Sequence, residues 1–158
     1  MAKSGYVITS GSVSLVASTL KYVLGVKSGD TTANHGVDLK KIRVGFDGTD
    51  ATDAPVLVEL CAVTFATNAP GTASTSVTPR QVYGRHAATG FSAASAWSSA
   101  PTTVTLLEEY LLTPNGGLVL YDWPLGDTPD SPLGEGFVIR CTAADSVAVR
   151  ASMWFERC

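Results

Sequence analysis

The 158-residue sequence predicts an all-β protein, an antiparallel β-sandwich, and three observations carry that prediction. No segment longer than ten residues keeps apolar residues at i, i+3, i+4 and i+7, the spacing by which a helix buries one face. Period-2 alternation and β-branched residues recur from end to end, as in strands that turn one face inward. Between these runs lie KSGD, FDGTD, TPNGG, GDTPDSPLG and TAADS, rich in the Gly, Pro, Asn and Asp that tolerate turn dihedrals. Eight or nine strands so punctuated fit a sandwich or jelly roll, and the missing helices exclude a TIM barrel or doubly wound sheet.

Taken in order, strands are expected at 6–15, 19–26, 39–46, 55–65, 77–83, 103–112, 118–123, 136–142 and 147–157. The first run is ambiguous. Alternation begins at Tyr6, yet residues 1–12 are small and polar and also read as an extended N-terminal arm, leaving 13–158 as one sandwich domain. The second and third runs are ordinary β-branched segments. The fourth, PVLVELCAVTF, puts Leu57, Cys61, Val63 and Phe65 on one face and Val56, Val58, Leu60 and Ala62 on the other, broken only by Glu59. TVTLLEEYLL sets Leu106, Tyr110 and Leu112 against Leu107 and Leu111, and LVLYDW sets Leu118 and Leu120 against Val119, Tyr121 and Trp123. A one-sided antiparallel sheet alternates cleanly, so strands that are apolar on both faces need a second cover, either a loop or another subunit. The closing hairpin is clearer. Phe137, Ile139 and Cys141, then Val147, Val149, Ala151, Met153 and Phe155, form a core face, while Arg140, Arg150, Glu156 and Trp154 lie on the other.

The loop candidate is residues 67–103, which hold 21 Ala, Ser or Thr and almost no charge. Disorder needs charge and few aromatics, whereas this segment carries Tyr83, Phe91 and Trp97, so we expect it ordered by packing.

Composition narrows function. Charged residues are only 16% where about 25% is usual, and Ala, Ser and Thr supply 52 positions, so the surface is neutral, small and suited to packing on protein. The net charge of −3 and the absence of any basic run argue against a nucleic-acid partner. No apolar stretch reaches signal-peptide or membrane-spanning length, which predicts a protein made in a cytoplasm with no membrane partner. Cys61, Cys141 and Cys158 are odd in number and widely spaced, so we expect two buried hydrophobes and one C-terminal thiol. His35 and His86 lack metal-ligand spacing, and no nucleophile elbow or phosphate loop occurs. Asp47, Asp50 and Asp53, and Asp122, Asp127, Asp130 and Glu135, form two oxygen-rich loops without the Ca²⁺ ladder, and Glu108 and Glu109 point to opposite faces. We therefore expect no enzyme, cofactor or metal; a carbohydrate- or receptor-binding module, with Trp97, Tyr83 or Trp123 as a stacking platform, is the alternative.

The opening MAKSGYVITSG, the low charge, doubly apolar strands such as LVLYDWPLGD and the closing hairpin GEGFVIRCTAADSVAVRASMWFE resemble the jelly-roll decoration, or minor capsid, proteins of tailed-phage heads. The hairpin is also similar to the last one of trimeric tumour necrosis factor-like jelly rolls. The resemblance implies a homotrimer on the outside of a capsid, made in the host bacterial cytoplasm, that cements the major capsid protein lattice in the virion. Its subunit interface would use Val119, Tyr121, Trp123, Tyr110 and Trp154, and its arm would touch the shell through Lys3, Tyr6, Val7 and Ile8.

Overall fold

The computed structural model describes residues 4–29, 35–47, 54–85 and 89–158. Among them the strands are β1 (Gly5–Thr9), β2 (Val13–Leu15), β3 (Leu20–Lys27), β4 (Val37–Phe46), β5 (Val56–Thr64), β6 (Thr75–Val77), β7 (Arg80–Tyr83), β8 (Ser92–Ser95), β9 (Val104–Leu112), β10 (Leu118–Asp122), β11 (Asp130–Ser131), β12 (Glu135–Thr142) and β13 (Val147–Arg157). One sheet runs β10-β4-β13-β1-β7, with β11 on β4 and β2 on β13; the other runs β6-β8-β3-β12-β5-β9. Every pairing is antiparallel. The sheets pack face to face as a jelly-roll-like sandwich around Ile8, Leu24, Leu39, Ile42, Leu60, Phe137, Ile139, Met153 and Phe155, all at or below 1% exposed. No helix among the described residues is long and apolar enough to cross a membrane.

The N-terminal arm is corrected. Residues Gly5–Thr9 form an internal strand held on one side by β13 and on the other by β7. Tyr6 is fully buried, with its ring 5.3 Å from Phe91 and 6.0 Å from Phe155, and Ile8 is 1% exposed. The alternation starting at Tyr6 therefore decided the outcome, because burying two large side chains outweighs the polar character of their neighbours. Gly11, at φ +66°, turns the chain between β1 and β2, and both halves lie along β13.

Close approach fixes Gly5. A methyl group there would enter the Tyr83 ring, whose hydroxyl donates to Glu156 Oε1 at 2.6 Å. Burial first, and then Glu156, push the Tyr83 phenol up to about 12. Gly5→Ala should displace the ring and break this bond, costing about 1–2 kcal/mol in urea unfolding. Tyrosinate absorbance should then show one phenol returning toward its ordinary range; an unmoved titration would mean the ring stays in place.

One expected strand divides, and two short strands arise where none was expected. The run at 77–83 splits at Thr78–Pro79, where proline cannot donate to a ladder, and its halves β6 and β7 join different sheets. SAAS and the two-residue β11 become strands through pairing with β3 and β4 rather than through any pattern of their own.

The Ala/Ser/Thr-rich segment covers the outer face of the second sheet. Trp97, 2% exposed, lies with Phe65, Tyr22, Cys61, Val63, Ala94 and Val138 in a satellite core outside the sandwich. Its ring stacks 6.5 Å from Phe65 and its Nε1 donates to the Asn68 carbonyl at 2.9 Å. This layer gives β5 its second apolar face. Cys61 and Cys141 are buried and Cys158 exposed, all as free thiols; burial pushes the Cys61 thiol up to about 11.

Candidate functional site

Strands β9 and β10 are each the last strand of a sheet, and β9 leads directly into β10 through residues 113–117. Across the gap between the sheets, Tyr110 and Tyr121 stand 6.4 Å apart and Tyr121 meets Trp123 edge to face at 4.8 Å. This aromatic ladder closes one side of the sandwich. Tyr110 also buries its hydroxyl without a hydrogen-bond partner among the described residues, and burial followed by the Glu108 charge pushes it up to about 12.

The register labels the faces. Val119 lies opposite Val44 and Tyr121 opposite Ile42, both fully buried, so these side chains turn inward, and Trp123 is 9% exposed within the main core. Tyr110, opposite buried Val58, also points inward. This corrects the expected interface: Val119, Tyr121, Trp123 and Tyr110 belong to the seal, and the opposite face of each strand meets solvent. On that outside Leu118 is 55%, Leu120 58% and Leu111 69% exposed, joined by Leu106 and Leu107 beside a bulge in the β5–β9 register. Together these leucines expose on the order of 500 Å² of largely apolar surface, divided between the outer face of the first sheet at Leu118 and Leu120 and that of the second at Leu106 and Leu111. A long apolar edge strand also presents unpaired backbone groups, so the ridge combines two forms of stickiness. Glu108 and Glu109 and the bulge interrupt it, which restrains indiscriminate strand addition.

The remaining predicted residues fall elsewhere. Trp154 is half-buried on the outer face of the first sheet, in register with Val7 on one side and Lys41 on the other. The Lys41 ammonium sits 5.6 Å from its ring centroid and pairs with Asp122 at 3.1 Å. The structure thus brings Trp154 and Val7 together, while Tyr6 and Ile8 are committed to the core and Lys3 lies outside the described residues. Trp97 and Trp123 are too buried to act as open stacking platforms, and exposed Tyr83 is held by Glu156. His35 packs 4.6 Å from Phe91, with its pKa lowered by burial; His86, Asp50 and Asp53 lie outside the described residues. Among the described residues no three His, Cys, Asp or Glu converge as a metal site.

The outward leucines were present in the sequence as the second face of doubly apolar strands. Only the cross-strand neighbours reveal which face stays open. No family model matches the chain, and no curated protein matches it.

Proposed function

We propose that this chain is a structural virion protein that binds the outside of a phage capsid as a homotrimer and cements the major capsid protein lattice. The observation that supports this reading is the leucine ridge on β9 and β10, a surface whose exposure is costly in an isolated subunit. Its occupant is a second copy of the chain. A standard interface takes about 800 Å² from each partner, and the ridge with a polar rim supplies an area of that order. Closure of three copies through a head-to-tail contact also covers the free strand edges that favour uncontrolled growth.

The mechanism is mass action. An oligomer that binds only the mature shell stabilises it by about 2.7 kcal/mol per site at a hundredfold excess over Kd, and many sites together resist internal pressure. The outer faces away from the ridge, including the Val7–Trp154 row, remain for the shell.

Multi-angle light scattering tests the self-association, and co-sedimentation with purified expanded capsids tests the cementing role. We expect three times the subunit mass and a pellet that retains the protein. The paired change Leu111→Asp and Leu120→Asp should weaken association on the order of a hundredfold, since each buried leucine is worth about 1.5–3 kcal/mol. A wild-type chain that stays monomeric at high concentration and ignores shells would remove this reading.

A further inference from the structure

Beside Leu118 of β10, the outer face of the first sheet carries a groove of about 510 Å³, lined by Arg43, Gly45, Asp47, Gly117, Leu118 and Arg150, among others. The sheet register builds it. Gly45 of β4 faces Arg150 of β13 and Leu118 of β10, and Arg43, two residues back on the same face, faces Ser152 and Leu120. The two arginines therefore occupy diagonal cross-strand positions, about 7–8 Å apart at the backbone and within reach of one ligand. Between them Gly45 contributes no side chain, so the floor is bare backbone; the nearest atoms to an added methyl would be Leu118 Cδ1 at 3.4 Å and the Gly117 carbonyl at 3.8 Å.

The arginines differ in their partners. Arg150 Nε donates to both oxygens of Asp47, at 2.9 and 2.7 Å, and Ser12 holds the same carboxylate at 3.3 Å. Arg43 has no hydrogen-bond or ion-pair partner among the described residues and is exposed at the groove. The groove thus carries one satisfied guanidinium, one open guanidinium and a net charge of +1 from these three side chains, in a chain whose net charge is −3. Asp47 shows that a carboxylate fits here. The planar guanidinium fork suits any such oxyanion, and the volume lies in the ordinary range for small-molecule sites, about 300–1,000 Å³.

We propose that this groove binds a small ligand of about monosaccharide size carrying an oxyanion, with Arg43 as the primary contact and Arg150 available when Asp47 yields. The groove shares Leu118 with the ridge, but its two arginines stand on β4 and β13 and the ligand contact needs no partner subunit, so anion binding is read on the chain whatever its oligomeric state.

The test is an NMR titration of the full chain with glucuronate, inorganic phosphate and, as a neutral control, glucose. Saturable shifts should map to β4, β13 and Gly116–Gly117. Glucuronate alone binding would assign a carboxylate, phosphate alone a phosphate group, and both a general oxyanion site. Arg43→Met should weaken binding about tenfold or more, as expected for one charge-assisted hydrogen bond. Asp47→Asn removes the internal competitor at the cost of a surface ion pair and should tighten binding several-fold. Both changes are on exposed side chains, so the folded spectrum serves as their control. Absence of saturable shifts with either anion, equal binding of glucose, or affinity indifferent to Arg43→Met would each overturn the proposal.

Discussion

Replacing Trp97 with alanine is expected to cost about 3–5 kcal/mol, enough to lower the melting temperature by about 10 °C in a chain of this length. The indole is 2% exposed and is the largest fully buried side chain in the molecule. It lies over Gly25 of β3, where an added methyl would come within 2.9 Å of its Cη2 atom, so the strand beneath has been kept bare to receive it. Truncation leaves a cavity among Phe65, Tyr22 and Val138, and it strands the Asn68 carbonyl that Nε1 now satisfies. Trp97→Phe separates the two effects, since it retains most of the packing and loses the hydrogen bond, for about 1–2 kcal/mol. Urea unfolding gives the free energy. Limited proteolysis adds the mechanism, because the segments before β6 and after β8 should become cleavable once their anchor is gone. A small loss with unchanged cleavage would show that the loop is held by its backbone bonds, such as Ser98 to Ala73 at 2.8 Å, rather than by the indole.

That satellite core also shows how far the sequence could be read. The two apolar faces of β5 were legible and both proved buried, but the second lies under the chain's own loop, an outcome alternation cannot distinguish from a partner subunit. The closing hairpin read correctly, with Phe137, Ile139 and Cys141 on the core side, because one of its faces carries charge and so labels itself. LVLYDW has no such label. Its inward face was set by Val44 and Ile42 on the neighbouring strand, more than seventy residues away, and the expected interface fell on the wrong side of β10. SAAS gave no strand signal, since small side chains have little to bury, and its role comes from lying beside β3. Arg43, Asp47 and Arg150 meet only through sheet register, with 103 residues between Asp47 and Arg150, so no local motif announced their groove.

Arg140→Met is expected to cost about 3 kcal/mol, and Glu59→Gln in the same chain should recover most of that loss. Arg140 on β12 and Glu59 on β5 stand directly opposite each other and form a two-pronged bond, Nε to Oε2 at 2.9 Å and Nη2 to Oε1 at 2.8 Å. The bond to Glu59 is the main reason the guanidinium is held more firmly protonated than usual. Glu59 as a residue is 7% exposed, and the side chain of Arg140 is 20% exposed, so the carboxylate is the more dependent member. Without arginine it would be left in a partly dehydrated site, facing Glu109 on the opposite strand, where a like charge adds repulsion. The residual opening at Arg140 keeps the expected cost at the lower end of the range for a broken buried pair, about 3–5 kcal/mol. Arg140→Lys should fall between wild type and Met, because one ammonium cannot reproduce the fork. A double-mutant cycle in urea supplies the coupling energy, and hydrogen exchange locates it: β5 is the strand that holds β9, so loosening Glu59 should speed exchange along β9 before the main core opens. If Arg140→Met costs under about 1 kcal/mol, the pair behaves as a surface contact. Register along the leucine-bearing edge would then depend on apolar packing alone.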